Sequence, residues 1–201
     1  MTDRSTIKTK GETVCLIVTI NGSPRTGSRT GVLLNDIVEA ISTRVHAKTE
    51  TIDLGAESGE IFSGVSRDKI SERGGALVSL AERADLIVVG SPIYRGTYTG
   101  LFKHFFDLID RDRMAGKAAV LSATGASLQH ALSIEHQFRP LMGFFNIMTA
   151  ATAPFATDSD FNSSRQISSE TILNQIKRAA IEAEILLSGR KVLTSSPGAT
   201  P

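Results

Sequence analysis

The residues best suited to bind a ligand form a glycine-containing loop, residues 21–30, directly after an apolar run. The loop reads Asn-Gly-Ser-Pro-Arg-Thr-Gly-Ser-Arg-Thr, and helical spacing begins immediately after it. Backbone N–H groups at a helix N-terminus, hydroxyls and guanidiniums together bind anions. The loop lacks both the Walker ending and the Gly-x-Gly-x-x-Gly spacing, so a phosphate monoester fits it better than a triphosphate or a pyrophosphate. Taken alone, it can also be an ordinary turn with a Ser or Thr N-cap.

A second loop, residues 91–100, follows another apolar run and combines aromatic with conformationally restricted residues. Tyr94 and Tyr98 lie in it together with Pro92, Gly96 and Gly100. Proline and glycine fix a tight backbone path that can approach a flat ring closely, while backbone N–H and C=O groups bind its polar edge. A flavin has such a ring, although the two tyrosines can instead cap the hydrophobic core.

A third loop, residues 124–127, is a turn of small residues with the sequence Thr-Gly-Ala-Ser. It follows the apolar run 118–123, so we expect it at the same sheet edge as the first two loops. Three such loops at one edge favour a ligand site more strongly than any one of them. Thr124 and Ser127 can also serve only as caps of the helix that follows.

The elements that position these loops alternate along the chain. Apolar runs predict strands over residues 14–20, 48–54, 86–90, 118–123 and 147–151. Helical spacing predicts helices over residues 31–45, 69–84, 101–109, 128–148 and 168–187. Continuous β-branched runs are typical of parallel strands that are covered on both faces. The sequence therefore predicts a flavodoxin-like α/β fold, a doubly wound parallel five-stranded sheet with helices on both faces and a ligand beyond the C-terminal strand ends.

Length and composition are those of one domain. The chain has 201 residues, of which 41% are hydrophobic, and we expect the domain to span residues 14–188 with flexible polar tails over 1–13 and 189–201. The net charge of +1 provides no basic field to attract nucleic acid. No apolar stretch is long enough to span a membrane, and the first run is short for a signal peptide. A single cysteine, Cys15, lies in an apolar run, which fits a reducing cytoplasm.

The predicted helix 128–148 is apolar on more than one face, which indicates a second packing partner. We therefore expect a homodimer or homotetramer with Tyr98, His136 and Phe144 at the interface. Pro140 cannot donate to the carbonyl of His136, so the helix should bend or widen there, and a π-bulge is one way to do so. His136 can be a proton donor, a metal ligand or an interface residue. We favour the interface and expect no metal, because no other His or Cys lies at metal-ligand spacing.

Taken together, the motifs resemble the NAD(P)H-dependent FMN reductases that serve two-component sulfonate monooxygenases. The resemblance runs from about residue 14 to about residue 188. It is closest over residues 91–110, which look more like the methanesulfonate-linked branch than the alkanesulfonate-linked one. Three further segments support it, namely Ala123-Thr124-Gly125, Arg139-Pro140-Leu141 and Phe155-Ala156-Thr157.

The resemblance implies an FMN site shared by the three loops. It assigns the FMN phosphate to Ser23, Arg25, Ser28, Arg29 and Thr30. It assigns the flavin ring to Pro92, Ile93, Tyr94, Arg95, Thr124, Gly125, Ala126 and Ser127. It implies hydride transfer from NADH or NADPH to stacked FMN with no dedicated catalytic side chain. Reduced FMN would then leave for an FMNH2-dependent monooxygenase.

Two positions depart from the family pattern, and two other functions stay open. Ala126 stands where relatives usually have a second glycine. His136 stands where the alkanesulfonate-linked branch has an inserted tyrosine associated with a π-helix at the tetramer interface. One alternative is a quinone, azo or chromate reductase with tightly bound FMN on the same fold. The other is a flavodoxin-like electron carrier, against which the near-neutral charge argues.

Overall fold

A computed structural model of the chain describes residues 14–195, with side chains described as far as residue 190. These residues form one parallel sheet with helices on both faces. The predicted tail 1–13 and residues 196–201 lie outside the described residues. The strands are β1 Cys15–Asn21, β2 Ala47–Asp53, β3 Leu86–Pro92, β4 Ala118–Thr124, β5 Met148–Thr149 and β6 Phe155–Ala156.

The strand order is β2-β1-β3-β4-β5, with β6 also beside β4. This order confirms the flavodoxin-like prediction, and it places a topological switch point between β1 and β3, where open α/β sheets bind their ligands. Ile17 to Asn21 of β1 pair in register with Leu86 to Gly90 of β3. The loops that follow β1 and β3 therefore leave the sheet side by side.

The sheet has six strands instead of five, because a short strand that was not predicted, β6, pairs with β4 beyond the predicted fifth strand 147–151. β5 pairs with the beginning of β4 and β6 pairs with its end. Between them, Thr152 turns away from the sheet, since its N–H and its hydroxyl both donate to Glu182, at 2.6 and 2.8 Å. A hydrogen bond to a distant helix thus replaces strand pairing at this position.

The helices are α1 Arg29–Ser42, α2 Ser58–Ile61, α3 Glu72–Arg83, α4 Gly100–Asp107, α5 Arg111–Met114, α6 Arg139–Phe144 and α7 Glu170–Ser195. They cover both faces of the sheet. On one face α1 and α7 pack over a core that includes Ile17, Val88 and Val120. On the other face α3, α4 and α6 enclose a second core that contains Phe102 and Phe138. None of the helices within residues 14–195 combines the length and the hydropathy needed to cross a bilayer.

Two helix predictions need correction. The last helix continues to Ser195, so the predicted C-terminal tail from residue 189 begins inside α7. The predicted continuous helix 128–148 is instead divided into a 3-10 turn over Leu128–His130, a π-helix over Ile134–Phe138, and α6. The helix widens next to Pro140, as predicted. At this point the N–H of Arg139 donates to the carbonyl of Ile134, five residues earlier.

Candidate functional site

An open cleft of about 460 Å³ lies at the C-terminal ends of β1, β3 and β4. This volume falls within the range of about 300–1,000 Å³ that is usual for small-molecule and cofactor sites. All three predicted loops line the cleft. The end of β6 contributes Ala156, and a fourth segment, which follows β6, contributes Asp158 and Arg165.

Most of the predicted binding residues are brought together in this cleft. Arg95 and Ser127 do not line it. Arg95 occupies the tip of a turn between Tyr94 and Thr97 with φ of 56°, and Ser127 begins the 3-10 turn by accepting the N–H of Gln129 at 3.2 Å. The predicted residues that do line it are Ser23, Arg25, Ser28, Arg29, Thr30, Pro92, Ile93, Tyr94, Thr124, Gly125 and Ala126.

Hydrogen bonds within the first loop, residues 21–30, order its backbone. Asn21 Oδ1 accepts the N–H of Ser23 at 3.1 Å, and Ser23 Oγ accepts the N–H of Arg25 at 3.1 Å. Ser28 is the N-cap of α1, with its Oγ accepting the N–H of Gly31 at 3.1 Å. Ser28 can therefore cap α1 and also bind a ligand, because its hydroxyl accepts the Gly31 N–H and still has its own proton to donate.

The charge of the first loop comes from guanidinium groups. Among residues 14–190, no carboxylate lies within 4 Å of the Arg25 guanidinium, whereas Arg29 Nη1 lies 2.9 Å from Asp158 Oδ1. The first turn of α1 adds N–H groups that have no acceptor within the helix. This donor set matches a phosphate monoester, as predicted.

Buried hydrogen bonds join the three predicted loops to one another. The hydroxyls of Thr30 and Thr124 lie 2.7 Å apart, and the hydroxyl of Thr99 donates to the carbonyl of Gly22 at 2.7 Å. The N–H of Ile93 donates to the carbonyl of Thr124 at 2.7 Å. The floor of the cleft is thus connected across β1, β3 and β4, which limits how far the loops can move apart.

Gly22 has to be glycine for a steric reason. A Cβ at this position would lie 2.6 Å from Cδ2 of Phe102 and 3.0 Å from the carbonyl oxygen of Gly90. The first loop can therefore cross the beginning of α4 only without a side chain.

The part of the cleft assigned to a flat ring is formed by Pro92, Ile93, Tyr94, Gly125 and Ala126. Ile93 is buried, whereas the ring of Tyr94 is 45% exposed and is free to cover a ligand. The methyl group of Ala126 requires no backbone strain, because the non-glycine residues with positive φ in the described chain are Arg95, Asn146 and Arg165. The departure at residue 126 therefore adds one methyl group to the cleft wall.

Sequence reasoning missed the fourth segment, residues 157–167. It begins with a capping box in which Asp160 Oδ2 accepts the N–H of Thr157 at 2.7 Å and its hydroxyl at 2.8 Å. Arg165 adopts φ of 61°, and its Nη1 donates to the carbonyl of Gly27 at 3.5 Å. The segment thus reaches across the first loop. The predicted strands gave no signal for it, because the fifth predicted strand ends at residue 151 and β6, which directly precedes the segment, was not predicted.

The Asp160 carboxyl stabilises this segment through its charge. Burial alone would raise its pKa, but hydrogen bonds from Thr157 and from Ser169 hold the pKa below its ordinary value. The carbonyl of Asp160 also accepts the N–H of Ser168 at 2.9 Å. The ionised carboxylate is therefore the form that holds the segment in place.

The three residues predicted at an oligomer interface have different environments. Tyr98 is half-buried against Phe102 and Phe138, with ring centroids 5.3 Å from each, and burial raises its pKa. His136 is exposed on the π-helix, and Phe144 is 60% exposed. Leu128 and Leu132, which precede the π-helix, are also exposed, at 71% and 63%.

Comparison with known proteins gives consistent results. A family model described as NADPH-dependent FMN reductase matches residues 15–162. The chain is 36% identical over 167 residues to the NADH-dependent FMN reductase SfnF of Pseudomonas fluorescens (strain Pf0-1), covering 83% of this chain and 89% of that protein. It is 35% identical over 180 residues to the NADH-dependent FMN reductase SfnE of Pseudomonas putida, covering 90% and 96%.

Solved structures agree with the sequence relatives. The apo form of the NADH:FMN oxidoreductase EmoB superimposes with a TM-score of 0.77 at 26% identity, covering 92% of this chain and 94% of that one. The similarity therefore extends over the whole sheet and over the segments that line the cleft.

Proposed function

The chain belongs to the NADPH-dependent FMN reductase family, and we propose that this NAD(P)H:FMN oxidoreductase supplies reduced FMN to a partner flavin-dependent monooxygenase in sulfonate or other organosulfur metabolism. The reductase activity follows from the family. The monooxygenase and its pathway rest on the resemblance of residues 91–110 to the methanesulfonate-linked branch.

The proposal rests on two walls of different chemistry that line the same cleft. One wall presents the hydroxyls and guanidiniums of the first loop, and the other presents Pro92 to Tyr94 with Gly125 and Ala126. A phosphomonoester and a flat ring of the same molecule fit these two walls, and FMN has both. The residues present therefore fit FMN.

The chain contributes binding and orientation. Arg25, Ser23 and Ser28 would hold the phosphate, while Ile93 and Ala126 would support the ring. When bound, FMN accepts a hydride from the nicotinamide of NADH or NADPH. Of the residues lining the cleft, Asp158 is the one carboxylate, and no His or Cys stands among them. We assign no side chain of this cleft a proton-transfer role in the step.

The experiment is a comparison of steady-state NADH and NADPH oxidation with free FMN, FAD and riboflavin, together with gel filtration of the FMN-loaded protein. We expect turnover of free FMN and loss of yellow colour on the column, because a flavin supplied to a partner has to dissociate. Retained colour with quinone or azo turnover above FMN turnover would favour the bound-FMN alternative. Flavin that stays oxidised after stopped-flow mixing with NADH would favour an electron carrier.

We assign the exposed apolar residues Leu128, Leu132 and Phe144, together with His136 and Tyr98, to a homodimer or homotetramer interface. Each of these three apolar side chains is at least 60% exposed, and several exposed large apolar residues in one segment favour a surface that is covered by a protein partner. The π-helix lies between Leu132 and Phe144 along the chain.

A further inference from the structure

One carboxylate stands among the cations that face the first loop. The guanidiniums of Arg25, Arg29 and Arg165 line the cleft together with Asp158, and within the described lining Asp158 is the one acidic side chain. Its carboxylate forms an ion pair with Arg29, 2.9 Å from Oδ1 to Nη1. The ring of Phe161 lies 5.9 Å from the Arg29 guanidinium carbon, so this arginine is held from two sides by the fourth segment.

The ion pair opposes phosphate binding in two ways. The bond to Asp158 occupies one of the five N–H donors of the Arg29 guanidinium and restricts the direction in which the other four can meet a phosphate oxygen. The carboxylate also adds a negative charge to the cleft that receives a phosphate of about −1.5 to −2. Asp158 therefore lowers the affinity that the three guanidiniums would otherwise produce.

The carboxylate of Asp158 has no comparable role in the local fold. Its side chain is 71% exposed, and an exposed ion pair contributes little to stability. The capping of residues 157–160 depends on Thr157 and Asp160 instead. An uncharged residue at position 158 therefore leaves the segment in place.

We propose that Asp158 is a positioning residue that restrains Arg29 and keeps flavin phosphate affinity low, so that FMN exchanges rapidly. The inference rests on the proposed function, because a reductase that supplies flavin to another enzyme needs a flavin that leaves. It identifies a residue outside the first loop as the one that sets the balance between holding and releasing FMN.

The test measures dissociation constants of the purified protein for FMN and riboflavin by flavin fluorescence, with FMN dissociation rates by stopped flow. Asp158→Asn should bind FMN about three- to tenfold more tightly than the wild type, as expected for one charge near an exposed phosphate. Most of the change should lie in the dissociation rate. Riboflavin, which lacks the phosphate, should bind both proteins equally.

The matched control is Glu184→Gln. Glu184 Oε2 lies 2.7 Å from Arg44 Nη2 just beyond the C-terminus of α1, and the Arg44 and Glu184 side chains are 39% and 38% exposed. The charge change is identical, but it lies about 20 Å along the helix from Arg29. FMN affinity should therefore not change in this variant.

A double-mutant cycle tests whether Asp158 acts through Arg29. In an Arg29→Gln background, the gain from Asp158→Asn should shrink at least by half. Equal FMN affinity of wild type and Asp158→Asn, or an equal gain for riboflavin, would overturn the inference while leaving the reductase assignment intact. Absence of FMN binding by the wild type would overturn both.

Discussion

The hydroxyl oxygens of Thr30 and Thr124 lie 2.7 Å apart beneath the cleft, with both residues at least nine-tenths buried. One hydrogen bond thus joins the first turn of α1 to the end of β4, across residues that are 94 positions apart. It fixes the distance between the loop that would hold phosphate and the loop that would support the ring.

Thr30→Val should therefore destabilise the protein by about 1–3 kcal/mol, because the Thr124 hydroxyl would be left buried without its partner. FMN affinity should fall as well. Thr30→Ser retains the hydroxyl and should preserve most of both properties. The double variant Thr30→Val with Thr124→Val should regain stability relative to the single variant. Urea unfolding and FMN titration measure the two effects, and full additivity of the two valines would contradict the coupling.

Arg25 is the arginine of the first loop whose guanidinium has no carboxylate within 4 Å among residues 14–190. Arg25→Gln should weaken FMN binding by about 1.5–3 kcal/mol, the usual loss for a charge-assisted contact. Because no ion pair is broken, the free energy of unfolding should stay within about 0.5 kcal/mol of the wild type.

Isothermal titration with FMN and with riboflavin checks this prediction. The loss should be confined to FMN, since riboflavin has no phosphate. Arg83→Gln serves as the control, because Arg83 is an exposed arginine at the C-terminus of α3, at the opposite edge of the sheet. An unchanged FMN affinity in Arg25→Gln would remove Arg25 from the phosphate site.

Arg165 combines a strained backbone with a position over the first loop. Its φ of 61° is costly for a side chain with a Cβ, whereas glycine adopts this conformation readily. Arg165→Gly should therefore be as stable as the wild type or more stable, yet bind FMN severalfold more weakly because a guanidinium is lost. Thermal unfolding and FMN titration separate the two effects. Weaker binding accompanied by a lower Tm would point instead to disordering of the segment.

The sequence was sufficient to predict the doubly wound parallel sheet, the three loops and the widening near Pro140, because each follows from local patterns. Strand–loop–helix alternation places the loops at one edge, and proline removes a specific donor. The sequence did not predict that Arg95 and Ser127 lie outside the cleft lining, because the turn at Arg95 and the cap at Ser127 determine their positions.

The fourth segment could not be predicted from local pattern. Residues 157–167 have no helical or alternating spacing, and their position depends on the interruption between β5 and β6. That interruption depends in turn on Thr152 bonding to Glu182, thirty residues away. A contact of this kind leaves no periodic signal in the sequence.

The interface assignment predicts that Phe144→Asp reduces the oligomeric state. A charge in the centre of an apolar interface has to be desolvated on assembly, which costs more than the interface gains from one contact. Light scattering at micromolar concentration measures the mass. Ile185→Asp on α7 is the matched control, because Ile185 is 64% exposed but lies apart from the region of Leu132 and Phe144. A monomeric wild type, or an unchanged mass in Phe144→Asp, would contradict the assignment.

The Asp160 carboxyl predicts a pH dependence of stability. Its pKa is lowered in the folded state because the hydrogen bonds from Thr157 and Ser169 outweigh the effect of burial. A depressed carboxyl pKa stabilises the fold above the unfolded value, near 3.8, and this stabilisation is lost as the pH falls through the folded value. Asp160→Asn should therefore cost about 1–2 kcal/mol at pH 7, allowing for partial exposure.

At a pH below both the folded and the unfolded pKa of Asp160, the free energies of unfolding of Asp160→Asn and the wild type should become similar. Protonation then removes the same charge that the substitution removes. Urea unfolding between pH 7 and pH 2.5 measures the two curves. Asp158→Asn provides the control for the loss of one negative charge in this segment, since the Asp158 side chain makes no capping bond. Parallel curves for wild type and Asp160→Asn would mean that the ionised carboxylate does not hold the fourth segment, and the cleft would then owe its shape to the backbone of residues 157–167 alone.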